Sequence, residues 1–494
     1  MMTLLTEQST LTDDDWKGRI FLAGAWSRGG GGEHPVIAPA DGSTVGSAGI
    51  ADAADVDTAV SAAVAAQVAW ASAPYDTRAA VFREAATLLA SSRDHYVEWL
   101  IAEAGSARGK AEFEIGLIAS ELHQAAAQTL APIGQILQSA KPRLSMAKRV
   151  PVGVVGVISP FNFPGILAMR SVAPALALGN AVVLKPDPRT AVSGGLLLAA
   201  LFERAGLPEG VLSVLPGGVE VGSALVEHPD VRVISFTGST PAGRKIGERA
   251  GSLLKRAHLE LGGNNALIVL GDVDLAAAVS AGAWGSFLHQ GQICMTTGRH
   301  FVHSSIYDDY VNGLARAAER LTVGDSRNGE FALGPIIDAH QRDHVHELVT
   351  DSVDAGAALV AGGTYDGLYY RPTVLADVLP EHRAFAEEVF GPVAPVLRFD
   401  DEDELVELVR RSEYGLSLGV LTRDVMGGLR LADRLPSGIV HINDQTVDDE
   451  SLAPFGGVGA SGTGVRFGGA EANAEAFTET CWITAQGSIE PYPF

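Results

Sequence analysis

Between residues 51 and 135, apolar side chains recur every third or fourth position through alanine-rich stretches such as DAADVDTAVSAAVAAQVAW and TRAAVFREAATLLASSRDHYVEWLIAEAG. That is the period of helices that lay one apolar face on a core. At 152 the texture changes. VGVVGVISP, NAVVLK, GVLSVLP and VRVISFTGS are short β-branched runs, and the segments GILAMRSVAPALALG and AVSGGLLLAALFERAG between them have helical length and composition. Apolar strands alternating with helices predict parallel βαβ units, and hence an α/β protein built on a doubly wound sheet. Ligands of such sheets sit outside the carboxyl ends of the strands.

A second alternating block runs from NALIVL (265–270) through a helix ending near Gln290, then RHFVH, VAPVLRF, SLGVLT and GIVHIN. It shares no period with the first block, so it predicts a second α/β unit rather than a repeat. KPRLSMAKRV (141–150) and the C-terminal TETCWITAQ have a strand-like pattern but belong to neither block. An orphan strand needs an edge to pair with, and a neighbouring subunit can supply one.

Composition narrows the picture. A chain of 494 residues, 47% hydrophobic and 19% charged, is long enough for about two to four domains and a large core without metal or disulfide staples. Its two cysteines, Cys294 and Cys481, lie far apart in no metal-like spacing, which predicts neither a disulfide framework nor a metal site and fits a reducing cytosol. The start, MMTLLTEQSTLTDDDWKGRI, carries acids where a signal peptide would be basic and then apolar, and reads as a surface arm. No apolar run reaches the roughly 18–20 residues of a membrane span. A formal net charge of −23 opposes generic nucleic-acid binding. The expectation is a cytoplasmic protein.

The candidate chemistry falls at strand ends. After VGVVGVISP comes FNFP, so Asn162 lies in a proline-bounded turn, where its amide either caps the next helix or donates to a developing oxyanion. NAVVLK leaves Lys185 at the ligand edge, as a surface lysine or as a donor to nucleotide hydroxyls or phosphate. VRVISF runs into TGSTPAGRKIG, where Gly238 and Ser239 either cap a helix or cradle a pyrophosphate. The spacing of Gly238 and Gly243 imitates a P-loop, but Arg244 and Lys245 stand where Lys and Ser/Thr should follow, which excludes a nucleoside triphosphatase of that type. No GxGxxG dinucleotide fingerprint is present either. Glu260 ends a mostly apolar strand before two glycines, as a paired structural acid or as a base of raised pKa. Cys294, in HQGQICMTTGRH, is either a small buried hydrophobe or a thiol nucleophile. Thiol, carboxylate, amide and phosphate cradle together make a coherent set that requires no metal.

SPFNFP, GNAVVLKP, FTGS, LELGGNN, GQIC, EEVFGPV and PFGG, in this order from 159 to 457, resemble the motifs of the aldehyde dehydrogenase superfamily, and the flanking segments fit its length. The resemblance implies a Rossmann-like cofactor domain (1–137 and 152–261), an α/β catalytic domain (262–460) and oligomerisation strands (138–151 and 478–494), with assembly as a homodimer or homotetramer. It implies Cys294 as nucleophile, Glu260 as base, and Asn162 with the Cys294 N–H as oxyanion hole. It also implies a cofactor site with Lys185 on the adenosine ribose, Gly238 and Ser239 near the pyrophosphate, Glu388 on the nicotinamide ribose, Phe390 beside it, and Pro160 and Phe161 adjoining. Many NAD-preferring members have a glutamate three residues after the lysine; here Pro188 stands there between Asp187 and Arg189, so NAD is expected with NADP possible.

HQGQICMTTGRH and INDQTVDDESLAPFGG look most like members acting on benzaldehyde, vanillin or salicylaldehyde. Phe163, Ile166, Leu167, Trp284, Leu288, Ile293, Met295 and Phe455 are then expected around the substrate, and they suit a flat neutral ring. Arg170 is the exception. It could anchor a carboxylate, as a semialdehyde dehydrogenase requires, or form a structural ion pair with Asp448, Asp449 or Glu450. A catalytically silent protein of the same fold is the remaining alternative, and the intact set of Cys294, Glu260 and Asn162 opposes it.

Overall fold

The computed structural model describes residues 11–494, residue 14 by its backbone alone. The β-branched runs after 152 form the centre of a seven-stranded sheet, in the order Arg256–Glu260, Val231–Thr237, Val154–Ile158, Ala181–Lys185, Leu212–Val214, Ile20–Leu22 and Ala25–Ser27. The first five strands are parallel and the last two antiparallel. Successive side chains point to opposite faces of a sheet, and both faces are covered. Val155, Val157, Val182 and Leu184 belong to one core with Met169, Val172 and Leu176 of the helix Pro164–Ala177. Val154, Ile158, Ala181 and Val183 belong to another with Val56, Ala59 and Val60 of the helix Ala53–Ser72. This double burial explains why the strands read as unbroken apolar runs.

The second block forms another seven-stranded sheet, ordered Ala358–Ala361, Thr373–Ala376, Val393–Phe399, Thr297–His303, Asn265–Val269, Ser417–Leu421 and Ile439–Ile442. Only its first pair is antiparallel. It too is covered on both faces, with Ala266 and Ile268 in one core and Leu267 and Val269 in another. In the first sheet the chain proceeds outward on both sides of Val154–Ile158. The switch point therefore lies between this strand and Val231–Thr237, where the loops at 159–163 and 238–239 emerge.

The orphan segments pair with each other. Thr478–Ala485 runs antiparallel to Leu144–Pro151 over eight residue pairs, and Gly134–Ile136 completes a separate three-stranded sheet. Three features depart from the sequence reading. The helix expected to reach Gln290 stops at Phe287, because His289 and Gln290 take positive φ angles of 48° and 57°. The hairpin Gly32–Ile37 with Thr44–Ile50 and the two antiparallel edge strands at 20–27 are additional. Residues 1–10 of the expected N-terminal arm lie outside the described residues, and the part that follows is anchored, with Leu11 and Trp16 buried in the first core. Among the described residues no helix is long and apolar enough to cross a membrane.

Candidate active site

The helix that follows the FNFP turn begins with Pro164 at its first position, and its preceding residue, Phe163, gives no side-chain cap. The cap comes from elsewhere. Glu114 Oε1 accepts the N–H groups of Gly165 (2.8 Å) and Ile166 (3.2 Å), while its other oxygen holds Lys110 Nζ at 2.6 Å. Lys110 in turn donates to the carbonyl of Asn162 at 2.8 Å. This leaves the Asn162 amide free of capping, and its Nδ2 donates to the carbonyl of Gln292 at 2.8 Å. A primary amide has two N–H donors, so one remains.

Cys294 lies in the turn before the strand Thr297–His303, and the turn is tied down. Asn265 Nδ2 donates to the carbonyls of Cys294 and Thr296, both at 2.8 Å, and Thr446 Oγ1 donates to that of Met295 at 2.7 Å. Gly291 has φ 66°, and a Cβ there would lie 2.0 Å from the carbonyl oxygen of Gly391, so only glycine fits. The backbone N–H of Cys294 has no hydrogen-bond partner among the described residues. Burial, with Glu388, Glu260 and Asp449 nearby, pushes the thiol above its ordinary pKa.

Two cavities meet at this thiol. The larger, with about 1360 Å³ of atom-free space, opens at the switch point and is bounded by Pro160, Phe161, Asn162, Lys185, Gly238, Ser239, Glu388, Phe390 and Cys294 among others. Its donors suit a dinucleotide. The buried Lys185 ammonium has no hydrogen bond or ion pair among the described residues, and burial lowers its pKa. Ser239 precedes the helix Thr240–Ser252 without turning its hydroxyl onto it, leaving that N-terminus open to an anion. Glu388 accepts the Gly263 N–H at 3.0 Å, and burial raises its pKa to about 7. Phe161 and Phe390 meet edge to face, 6.0 Å between centroids. Beside Pro188, Arg189 pairs with Asp187 at 2.8 Å and Asp338 at 2.7 Å, and lies over the Phe161 ring. The fit with a nicotinamide dinucleotide is therefore one of donors, acceptor and size.

The second cavity, about 450 Å³ of atom-free space, is bounded by Phe113, Leu117, Asn162, Phe163, Ile166, Leu167, Ile293, Cys294, Met295, Val447, Asp448, Asp449 and Phe455. Asn162, Leu167 and Cys294 border both cavities. Trp284, Leu288 and Arg170 are not in its walls. Trp284 is 56% exposed, and Leu288 packs on the first core. Arg170 is buried beside Asp449 Oδ1 at 2.5 Å and Glu121 at 3.7 Å, its guanidinium over the Phe455 ring. Burial works against the charge on Arg170, but these two carboxylates keep its pKa above the usual value. Phe113 and Leu117 were missed in the sequence because four-residue spacing on an alanine-rich helix is also the signature of ordinary core packing. Only their joint appearance with the FNFP turn could have singled them out.

Glu260 closes the strand Arg256–Glu260, its carbonyl accepting the Gly238 N–H at 3.0 Å. The side chain is buried, and among the described residues neither carboxylate oxygen has a partner of good hydrogen-bond geometry and no cation lies within ion-pair distance. Burial drives its pKa well above the ordinary value, and Arg466, the nearby Gly457 N–H and Arg170 offset this only in part. It belongs to the walls of neither cavity, yet its charge is close enough to act on the Cys294 thiol.

A doubly wound sheet facing a second α/β unit, with a thiol set between a dinucleotide-sized cleft and an apolar pocket, is a layout that suits a dinucleotide-dependent oxidoreductase. Residues 26–483 match the model of the aldehyde dehydrogenase family. The chain is 61% identical to a vanillin dehydrogenase of an Amycolatopsis species, over 98% of this chain and all of that protein. It is 50% identical to a benzaldehyde dehydrogenase [NAD(+)] of Pseudomonas putida, over 97% and 98% of the two chains. The crystal structure of a salicylaldehyde dehydrogenase from Pseudomonas putida G7, complexed with salicylaldehyde, superposes with a TM-score of 0.93 at 35% identity, covering 96% and 99%. The chain belongs to the aldehyde dehydrogenase family.

Proposed function

We propose that this enzyme oxidises an aromatic aldehyde of the benzaldehyde type to its carboxylic acid, with NAD as the oxidant and NADP as a possible substitute. The observation that carries this is the shared wall: Cys294 and Asn162 border the dinucleotide-sized cleft on one side and the apolar slot on the other. The Cys294 thiolate attacks the aldehyde carbon, forming a C–S bond and a tetrahedral oxyanion. The second Asn162 N–H and the unengaged N–H of Cys294 receive that oxyanion. Bound in the cleft, the oxidised nicotinamide supplies the hydride acceptor. Lys185, Ser239 and Glu388 would hold it through ribose hydroxyls and pyrophosphate, with Phe161 and Phe390 alongside. Collapse of the oxyanion breaks the C–H bond, sends its hydride to that acceptor and leaves a thioester on Cys294; Glu260 then deprotonates the water that hydrolyses it, releasing the acid and the thiolate.

The relatives' names, vanillin and benzaldehyde dehydrogenase, and the apolar walls support a ring rather than a charged aliphatic substrate. Arg170 as a carboxylate anchor has less support, because its charge is already matched by Asp449 and Glu121. We also infer a dimer or tetramer formed through the three-stranded sheet, whose outer strand Thr478–Ala485 presents an unpaired edge and a 65% exposed Trp482. Two unpaired thiols, one of them the nucleophile, suit the cytosol. The test is a panel of aromatic, aliphatic and carboxylated aldehydes assayed with NAD and NADP separately by absorbance of the reduced cofactor. Benzaldehyde-type substrates should lead with NAD, and Cys294→Ala should abolish turnover while still binding cofactor. Preference for a carboxylated semialdehyde would overturn the substrate assignment.

A further inference from the structure

The apolar slot beside Cys294 has polar groups of two kinds. Asn162 and Cys294 belong to the reacting end, and the remaining polar residues in its walls are Asp448 and Asp449. A carboxylate lining an otherwise apolar slot is costly unless its acceptor sites are filled. Asp449 is held in place: Arg170 donates to its Oδ1 at 2.5 Å, and Arg170 is itself fixed between Glu121 and the face of Phe455, another wall of the slot. A carboxylate has about four acceptor sites. Arg170 and the adjacent Glu450 N–H account for two at most, so acceptor capacity remains in a side chain that is one-tenth exposed. Arg170 offers the slot no cation in return, because it lies outside the walls and is matched by two acids.

On the reading that the slot takes an aromatic aldehyde, we propose that Asp449, presented by Arg170, is a specificity-determining residue that accepts a hydrogen bond from a hydroxyl on the substrate's ring. Hydroxylated benzaldehydes are then the favoured class. The same acidic wall disfavours aldehydes that carry a carboxylate, since Asp448 and Asp449 repel a second anion and, among the described residues, no arginine or lysine lines the slot. Arg170 acts through Asp449: it fixes the rotamer, and its charge offsets in part the burial that raises the pKa of this carboxylate.

The test compares kcat/KM of the intact enzyme at neutral pH for 3- and 4-hydroxybenzaldehyde, their methoxy counterparts, benzaldehyde and 3-carboxybenzaldehyde. A hydrogen bond to a charged acceptor should favour at least one hydroxy isomer over its methoxy counterpart by about 10-fold, with the carboxylated compound the poorest. In Asp449→Asn, which can still accept from Arg170 through its carbonyl, the hydroxy-to-methoxy ratio should shrink, and in Asp449→Leu it should vanish. Oxidation of 3-carboxybenzaldehyde relative to benzaldehyde should improve in both, and in Asp448→Asn. A wild-type enzyme without preference for either hydroxy isomer overturns the proposal without recourse to any variant, as do ratios unmoved by folded Asp449 variants. Failure of the parent reading looks different: benzaldehyde itself would not be oxidised while aliphatic aldehydes were.

Discussion

At the level of single residues, the site depends on groups whose ordinary ionisation is disturbed by burial. Cys294, Glu260 and Glu388 all have raised pKa values, and their proposed tasks differ in what that does. Glu260 as the base is needed only after hydride has left, because the oxyanion hole and thiolate suffice for the first half of the reaction. Glu260→Gln should therefore release about one reduced cofactor per site and then stall as an acyl-enzyme. Rapid mixing with benzaldehyde and NAD, followed by intact mass of the Cys294 adduct, shows whether it does. Loss of the first burst would mean that Glu260 activates the thiol instead. Glu388 makes a second prediction. It titrates at about 7, it is a better acceptor for ribose hydroxyls when ionised, and ionisation follows rising pH. NAD affinity should thus increase between pH 6 and 8, and titration calorimetry should show that dependence flattened in Glu388→Gln.

Among the elements, the helix Pro164–Ala177 shows most clearly how a motif gets its geometry from a distant segment. Its N-terminal N–H groups are satisfied by Glu114, one turn from Lys110 on the helix Arg108–Gln128, and that lysine grips the Asn162 carbonyl. Both side chains of the pair are fully buried. Removing one member strands the other, which costs about 3–5 kcal/mol, so Glu114→Ala should lower the denaturant midpoint markedly. It should also slow hydride transfer in whatever folds, because the Asn162 turn loses its tether. FNFP marked a turn with an oxyanion candidate, but neither Lys110 nor Glu114 was legible, since charged residues four apart on a helix look like any surface pair. The helix end before Cys294 was misjudged by three residues for a related reason. Of the two positive φ values, that of Gln290 is imposed by the tethered turn, since glutamine, unlike histidine, is not enriched in this region.

For the molecule as a whole, the two α/β units bring their cavities to one thiol, and the third sheet offers the edge through which assembly is proposed. If the edge Thr478–Ala485 pairs across subunits, light scattering at micromolar concentration should give a dimer or tetramer, and Trp482→Lys should shift it toward monomer; a wild-type monomer would refute this. The sequence by itself determined the parallel sheets, the strand-end positions of Asn162, Lys185, Gly238 and Glu260, the place of Cys294 between a helix and a strand, and the family, because strand burial on both faces writes a continuous apolar run and strand-end chemistry writes a local motif. It did not determine which of two meanings Arg170 had, that Trp284 would face solvent, or that Asp449 and Phe113 would line the slot beside the nucleophile. Those outcomes depend on which faces of separate elements meet. Segments 170, 284, 449 and 113 are far apart in the chain, and only the packing of the two units decides whether a given side chain meets a counter-charge, water or the substrate.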